Sequence, residues 1–325
     1  MCDRFFPSAG LWTYLAVLAL VDLLAMVATG FRLVGYGMVP IAAVSVGAWG
    51  LGYLYSVKRP DIRIAALAFA TAYLVPFTSV AAILSYVGTS LNRPLLDAQF
   101  ASADAALGLN WLAVLSFTDA HPAFGMILCT AYFSSMLQMV AVLIILSGTR
   151  QVDRLRDFLI LFTATGTITI LASIVFPAAG AFVFHNPPAE LRDVVGQAAG
   201  IWHLEHFEAL RSGAMRTIKP FAVEGLITFP AFHTALAVIT AWAFWRTAYL
   251  AMPVLGINIF VIAATVPVGG HYFVDVFAGA AIAAACIAAI KWRPVQHTTL
   301  APDEMGALPA LLRAAVKSRS RLSAK

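Results

Sequence analysis

Charged side chains are scarce in this chain: 11% of its 325 residues are Asp, Glu, Lys or Arg, against 61% hydrophobic. A soluble domain carries about 25% charged residues. The deficit excludes a globule dissolved in water and points to lipid as the solvent. Cysteine is nearly missing as well. Cys2, Cys129 and Cys286 are scattered without disulfide or metal-ligand spacing, which excludes a cysteine-built scaffold. The chain has no Walker or dinucleotide glycine motif, no nucleic-acid signature and no repeat of solenoid period. Residues 1–8 (MCDRFFPS) lack the basic start and cleavage site of a signal peptide, so the first apolar run is expected to stay as an anchor.

Apolar runs of membrane-spanning length are what the sequence has. A hydrocarbon core of about 30 Å needs roughly 20 residues per helix. The runs 9–31, 34–56, 63–87, 122–147, 157–183, 226–247, 250–268 and 271–292 meet that length, with 34–56 interrupted by Gly and Pro. The expected fold class is all-α, a polytopic integral membrane helical bundle of about eight transmembrane helices. Basic residues cluster at Lys58, Arg59 and Arg63, at Arg150, Arg154 and Arg156, and along the tail from Arg293 to Lys325. With eight spans all three clusters share one side. The positive-inside rule makes that side cytoplasmic, with both termini inside.

Two connections are long. In 88–121, Leu95, Leu96, Phe100, Ala103 and Leu107 fall at helical spacing with Asp97 and Asp104 off that stripe. This reads as a short helix at the outer interface or as an extramembrane hairpin. The connection 184–225 gathers His185, His203, His206, Arg192, Arg211, Arg216 and Lys219 on the outer side. Either an anionic ligand explains them, or the loop is simply solvated. The tail 305–325 has apolar residues at helical spacing beside basic ones, which fits an anionic leaflet or plain disorder.

The chemistry-bearing segments are TFPAFHTALAV (228–238) and VGGHYFVDVFAG (268–279). Pro230 suits the first position of a helix, which puts His233 in the first turn. Gly269 and Gly270 close the preceding span, His271 opens the next, and Asp275 follows at i+4 on the same face. Helix N-termini favour anions. The separation of 38 positions between the histidines allows one span out and one back, so both return to the same outer surface. Two histidines and one acid, with arginines upstream, suit phosphoryl transfer through a phosphohistidine. His271 is the nucleophile, Asp275 fixes its tautomer, and His233 protonates the leaving alkoxide. Arg211, Arg216 and Lys219 are the candidates for holding phosphate. No metal and no cofactor is called for.

FPAFHTA followed by GGHYFVDVFAG resembles the two C-terminal motifs of the type 2 phosphatidic acid phosphatase superfamily of membrane enzymes. The His-Tyr-x-x-Asp form and LRSGAMRTIKPFAVEGLITFP are most similar to its inositol phosphorylceramide synthase-like branch. The resemblance covers about 90–292. It implies a six-helix core, lipid-phosphate substrates, and the roles already given to His271, Asp275 and His233. The chain departs from the family at three places: Ala231 replaces a phosphate-contacting serine, Thr265 stands where an arginine is expected, and the first family motif is absent in its usual form. The organisation implied is two N-terminal helices in 1–60, a lipid-phosphate phosphatase or phosphotransferase domain in 61–292, and a basic tail in 293–325.

The expected function is cleavage of a lipid phosphoester at the extracytoplasmic face of a bacterial inner membrane, with transfer to a lipid hydroxyl or to water. The partners are membrane lipids: a phospholipid donor and a lipid-alcohol acceptor. The rivals are a transporter relaying protons through His271 and Asp275, a haem-binding bundle, a polar knot between helices, and a degenerate family member. A proton relay wants ionisable residues through several spans, yet the interiors of 63–87, 122–147 and 157–183 carry almost none.

Overall fold

The structure, a computed structural model, describes residues 6–188, 191, 200–220, 222–247 and 249–291. Arg192 and the tail 293–325 lie outside the described residues. Nearly all regular structure is helical. In chain order the elements are α1 (Ala9–Thr29), β1 (Arg32–Leu33), α2 (Met38–Tyr53), α3 (Ile62–Thr89), α4 (Asp97–Ala106), α5 (Trp111–Ala120), α6 (Pro122–Gly148), α7 (Val152–Val175) and α8 (Ala181–His185). They continue with α9 (Leu204–Ser212), β2 (Thr217–Ile218), α10 (Phe232–Phe244), α11 (Ala251–Thr265) and α12 (Phe273–Lys291).

Local chemistry explains most boundaries. The Ser8 hydroxyl accepts from Leu11 N–H at 3.2 Å and starts α1, and Gly30, at φ 73°, ends it in the left-handed conformation. Asp61 caps α3 through Arg63 N–H at 2.9 Å, and Asn110 caps α5 through Ala113 N–H at 3.0 Å. Pro122 opens α6.

Among the described residues, six helices are long and apolar enough to cross a membrane, or seven if α4 and α5, bent by 81°, count as one broken span. The expected spans 226–247 and 250–268 are shorter than the sequence suggested. They contract to α10 and α11 because 226–231 runs in without helical structure, and turns follow α10 at 245–246 and precede α11 at 249–250. The 88–121 connection holds two helices rather than one.

α3 is the centre of the bundle and packs against α1, α2, α6 and α7. Phe69, Tyr73 and Phe77 from α3 meet Leu155, Phe158 and Phe162 from α7 in one buried core. Hydroxyls tie the helices where lipid cannot: Tyr73 Oη and Thr163 Oγ1 lie 2.9 Å apart, and Tyr14 O–H donates to Thr167 at 2.8 Å. Outward faces stay apolar, with Val27 75%, Leu137 72% and Met252 71% exposed. That is the composition of a surface solvated by acyl chains. β1 pairs in parallel with β2, joining the N-terminal helices to the segment that leads into α10.

Candidate active site

The start of α12 is built from both sides. Gly269 admits no side chain, because a Cβ there would overlap Thr265 O and the rings of His271 and Tyr132. Gly270 turns the chain at φ 69°. The helix itself begins at Phe273, two residues later than the sequence suggested, yet the i, i+4 contact forms. His271 Nδ1 lies 3.3 Å from Asp275 Oδ2. The same oxygen accepts Tyr272 N–H at 2.9 Å, and Asp275 Oδ1 is buried with no hydrogen-bond partner among the described residues. His271 is 4% exposed and Asp275 is fully buried.

The N-terminus of α12 is capped from elsewhere in the chain. Asp104 on α4 accepts Phe273 N–H at 2.8 Å and Val274 N–H at 2.9 Å, using both oxygens. These are two of the four donors a helix start leaves open. Asp97, two turns earlier on α4, accepts Ala179 N–H at 3.0 Å, Gly180 N–H at 2.9 Å and Tyr272 O–H at 3.0 Å. These acids lie off the apolar stripe, yet theirs is the side that packs. Asp97 and Asp104 are buried, while Leu95 and Leu107 are exposed. Backbone N–H groups reward a carboxylate more than lipid-facing burial rewards a leucine at an interface.

α10 starts against α12. Its N-cap is Ala231, so Pro230 lies before the helix rather than at its first position. Ala231 N–H donates to the Asp275 carbonyl at 3.0 Å, which links the two motifs through backbone. Gly279 permits this approach, since a Cβ there would collide with the Ala231 carbonyl. Gly279→Val is expected to push α12 off α10, costing about 1–3 kcal/mol. Gly256→Ala, on open helix surface, is expected to be neutral or slightly stabilising. Thermal unfolding of both variants in detergent checks the contrast.

His233, in the first turn of α10, stacks on Tyr132 at 4.2 Å with 21° between the ring planes. Its Nδ1 lies 3.2 Å from the Tyr132 hydroxyl. His233, His271, His203, Tyr132, Glu224 and Thr228 line a single cavity of about 350 Å³. Its other end is apolar, walled by Phe77, Ala81, Phe162 and Ile170. The cavity thus joins titratable groups to space suited to an aliphatic chain.

Of the residues singled out in the sequence, His233, His271 and Asp275 come together. Arg211, Arg216 and Lys219 are not among the residues lining that cavity. The Arg211 guanidinium lies over the Phe207 ring at 5.3 Å. That of Arg216 lies over Phe31 at 5.0 Å, beside the β1–β2 pair. Lys219 is exposed. Thr265 Oγ1 is spent on Val261 O at 2.9 Å within α11. Sequence reasoning missed Asp97, Asp104 and Tyr132 as parts of the site. The first two carried one signal, a seven-residue spacing that places both on one helix face. His185 stacks on Trp111 at 5.3 Å, and His206 Nδ1 meets the Tyr86 hydroxyl at 2.7 Å. Among the described residues no group of three His, Cys, Asp or Glu is arranged to hold a metal ion.

Fold and site together define a polytopic helical membrane protein with a histidine–carboxylate pair and a second histidine at two adjoining helix starts. The model of the PAP2 superfamily matches residues 98–289, more than half of the chain, and the chain belongs to that superfamily. No curated protein and no solved structure matches it. α1, β1, α2 and α3 precede the matched region. Membership supports a phosphatase-type lipid phosphoesterase.

Proposed function

We propose that the protein cleaves a lipid phosphoester through a phosphohistidine on His271. The reading rests on one observation above all: Asp275 engages Nδ1 of His271, and His271 lines one cavity with His233. A carboxylate at Nδ1 holds the proton there and leaves Nε2 with the lone pair that attacks phosphorus. As the N–P bond forms, the P–O bond to the alcohol breaks, and His233 gives its proton to the departing alkoxide. In the second half, His233 takes a proton from water or a lipid hydroxyl. That oxygen attacks phosphorus, the N–P bond breaks, and His271 is restored.

The His-Tyr-x-x-Asp form of the motif favours transfer of a phospho-head group to a lipid hydroxyl over release to water. The apolar end of the cavity suits the tail of a lipid donor. Clustered basic residues in the 58–63 and 150–156 connections favour a cytoplasmic location for those loops. The site then opens on the extracytoplasmic face of a bacterial inner membrane, with both termini inside.

The test separates acid catalysis from binding. His233→Ala is expected to lower kcat on an alkyl phospholipid by about 10²–10⁴-fold. It should have far less effect on a p-nitrophenyl ester, whose leaving group needs no proton. Equal losses on both substrates would remove His233 from the acid role, and wild-type inertness toward every lipid phosphoester offered would sink the function. Product analysis with and without an added lipid alcohol then distinguishes transfer from hydrolysis.

A further inference from the structure

We infer that His203 is a third functional imidazole, contacting the phosphoryl group of the substrate through its Nδ1; this rests on the lipid phosphoester reading above. His203 sits at the N-cap of α9, and its ring packs edge-on against Phe207 at 6.0 Å. Nε2 lies 3.1 Å from the Ala179 carbonyl. A carbonyl only accepts, so Nε2 carries the proton and Nδ1 is the nitrogen left for a ligand. No hydrogen bond to Nδ1 forms among the described residues.

The ring is linked through Ala179 to Asp97. Ala179, whose carbonyl orients His203, donates its own N–H to Asp97 at 3.0 Å, and Asp97 also accepts the Tyr272 hydroxyl. His203 is thereby tied to the residue next to His271, although 68 positions separate the two histidines in the chain. His203 lines the cavity of His233 and His271, and it also lines a second cavity that shares Tyr132 and His233 with the first and adds Phe133 and Trp202. Glu224 shares both walls.

A neutral imidazole with an open Nδ1 accepts a proton when an anion arrives beside it, and then donates a charge-assisted hydrogen bond. The Glu224 carboxylate favours that charged form. Burial, and to a lesser degree the neighbouring His271, holds the His203 imidazole below its usual range, so the positive charge appears with the phosphate. An arginine would bring the same charge permanently. Thr265, which stands where the family resemblance expects one, is turned into its own helix.

Two amide variants separate a ligand contact from a structural cap. Gln at 203 reproduces the Nε2 donor toward Ala179 and lacks a group at Nδ1. Asn places a donor near Nδ1 and lacks the bond to Ala179. With a detergent-soluble short-chain lipid phosphoester, His203→Gln is expected to raise KM and the inhibition constant of inorganic phosphate by about 10–100-fold. Its melting temperature should stay near wild type. His203→Asn is expected to keep phosphate inhibition within about 5-fold and to melt lower. The reverse order, with Gln like wild type and Asn impaired, makes His203 a cap on Ala179 and overturns the inference; so does an unchanged phosphate inhibition constant in both. If His203→Gln fails to fold, loss of phosphate inhibition in a folded His203→Asn overturns it too. An active wild type with insensitive variants leaves the phosphohistidine reading standing. A wild type that cleaves no phosphoester removes both.

Discussion

Asp275→Asn is expected to lower turnover by about 10³–10⁴-fold while leaving the protein folded. The substitution preserves shape. Oδ2 of Asp275 meets both Tyr272 N–H, at 2.9 Å, and His271 Nδ1, at 3.3 Å, so an asparagine carbonyl in that place keeps both contacts and its NH₂ falls where Oδ1 lay. What is lost is the negative charge that stabilises the imidazolium formed as Nε2 attacks phosphorus. The affinity for a competitive lipid should change little, because Asp275 is fully buried behind His271. A kcat that falls less than tenfold would show that Asp275 serves packing alone.

The second large effect is structural in origin. Asp104→Ala is expected to cost on the order of 2–6 kcal/mol, from about 1–3 kcal/mol for each buried donor left unpaired. Phe273 and Val274 N–H both depend on this carboxylate, and water has poor access to either. Asp104→Asn keeps one acceptor oxygen and should fall between. Activity should drop more steeply than stability, since the first turn of α12 sets where His271 and Asp275 stand. Thermal melts and kcat measured on the same preparations check both parts. Wild-type melting in Asp104→Ala would mean that other groups satisfy those amides.

The long helices were legible because uniform apolar runs of about 20 residues have few other solutions in lipid. α10 and α11 were overdrawn, since hydropathy cannot distinguish a helical apolar residue from an extended one at its end. The His271–Asp275 contact was legible from the i, i+4 spacing, although His271 precedes the helix, which begins at Phe273. Asp97 and Asp104 were not. An acid on an amphipathic helix looks the same whether it faces water or caps a helix about 170 residues away in sequence. Their common face was visible, but the backbone donors waiting for them were not. For Arg211 and Arg216, proximity in the chain suggested phosphate, and the structure adds that their guanidinium groups lie over Phe207 and Phe31. A cation's aromatic partner has no sequence period to reveal it. β1 and β2, two residues each, are too short to show strand alternation.

The covalent intermediate can be trapped directly. Membranes holding the protein are quenched during turnover of a lipid phosphoester radiolabelled at phosphorus, with several lipid classes tried. Wild type should carry an acid-labile, base-stable phosphoryl label, absent in His271→Ala and more persistent in His233→Ala. A label that survives in His271→Ala, or its absence from a folded wild type that is turning substrate over, would contradict a phosphohistidine at His271.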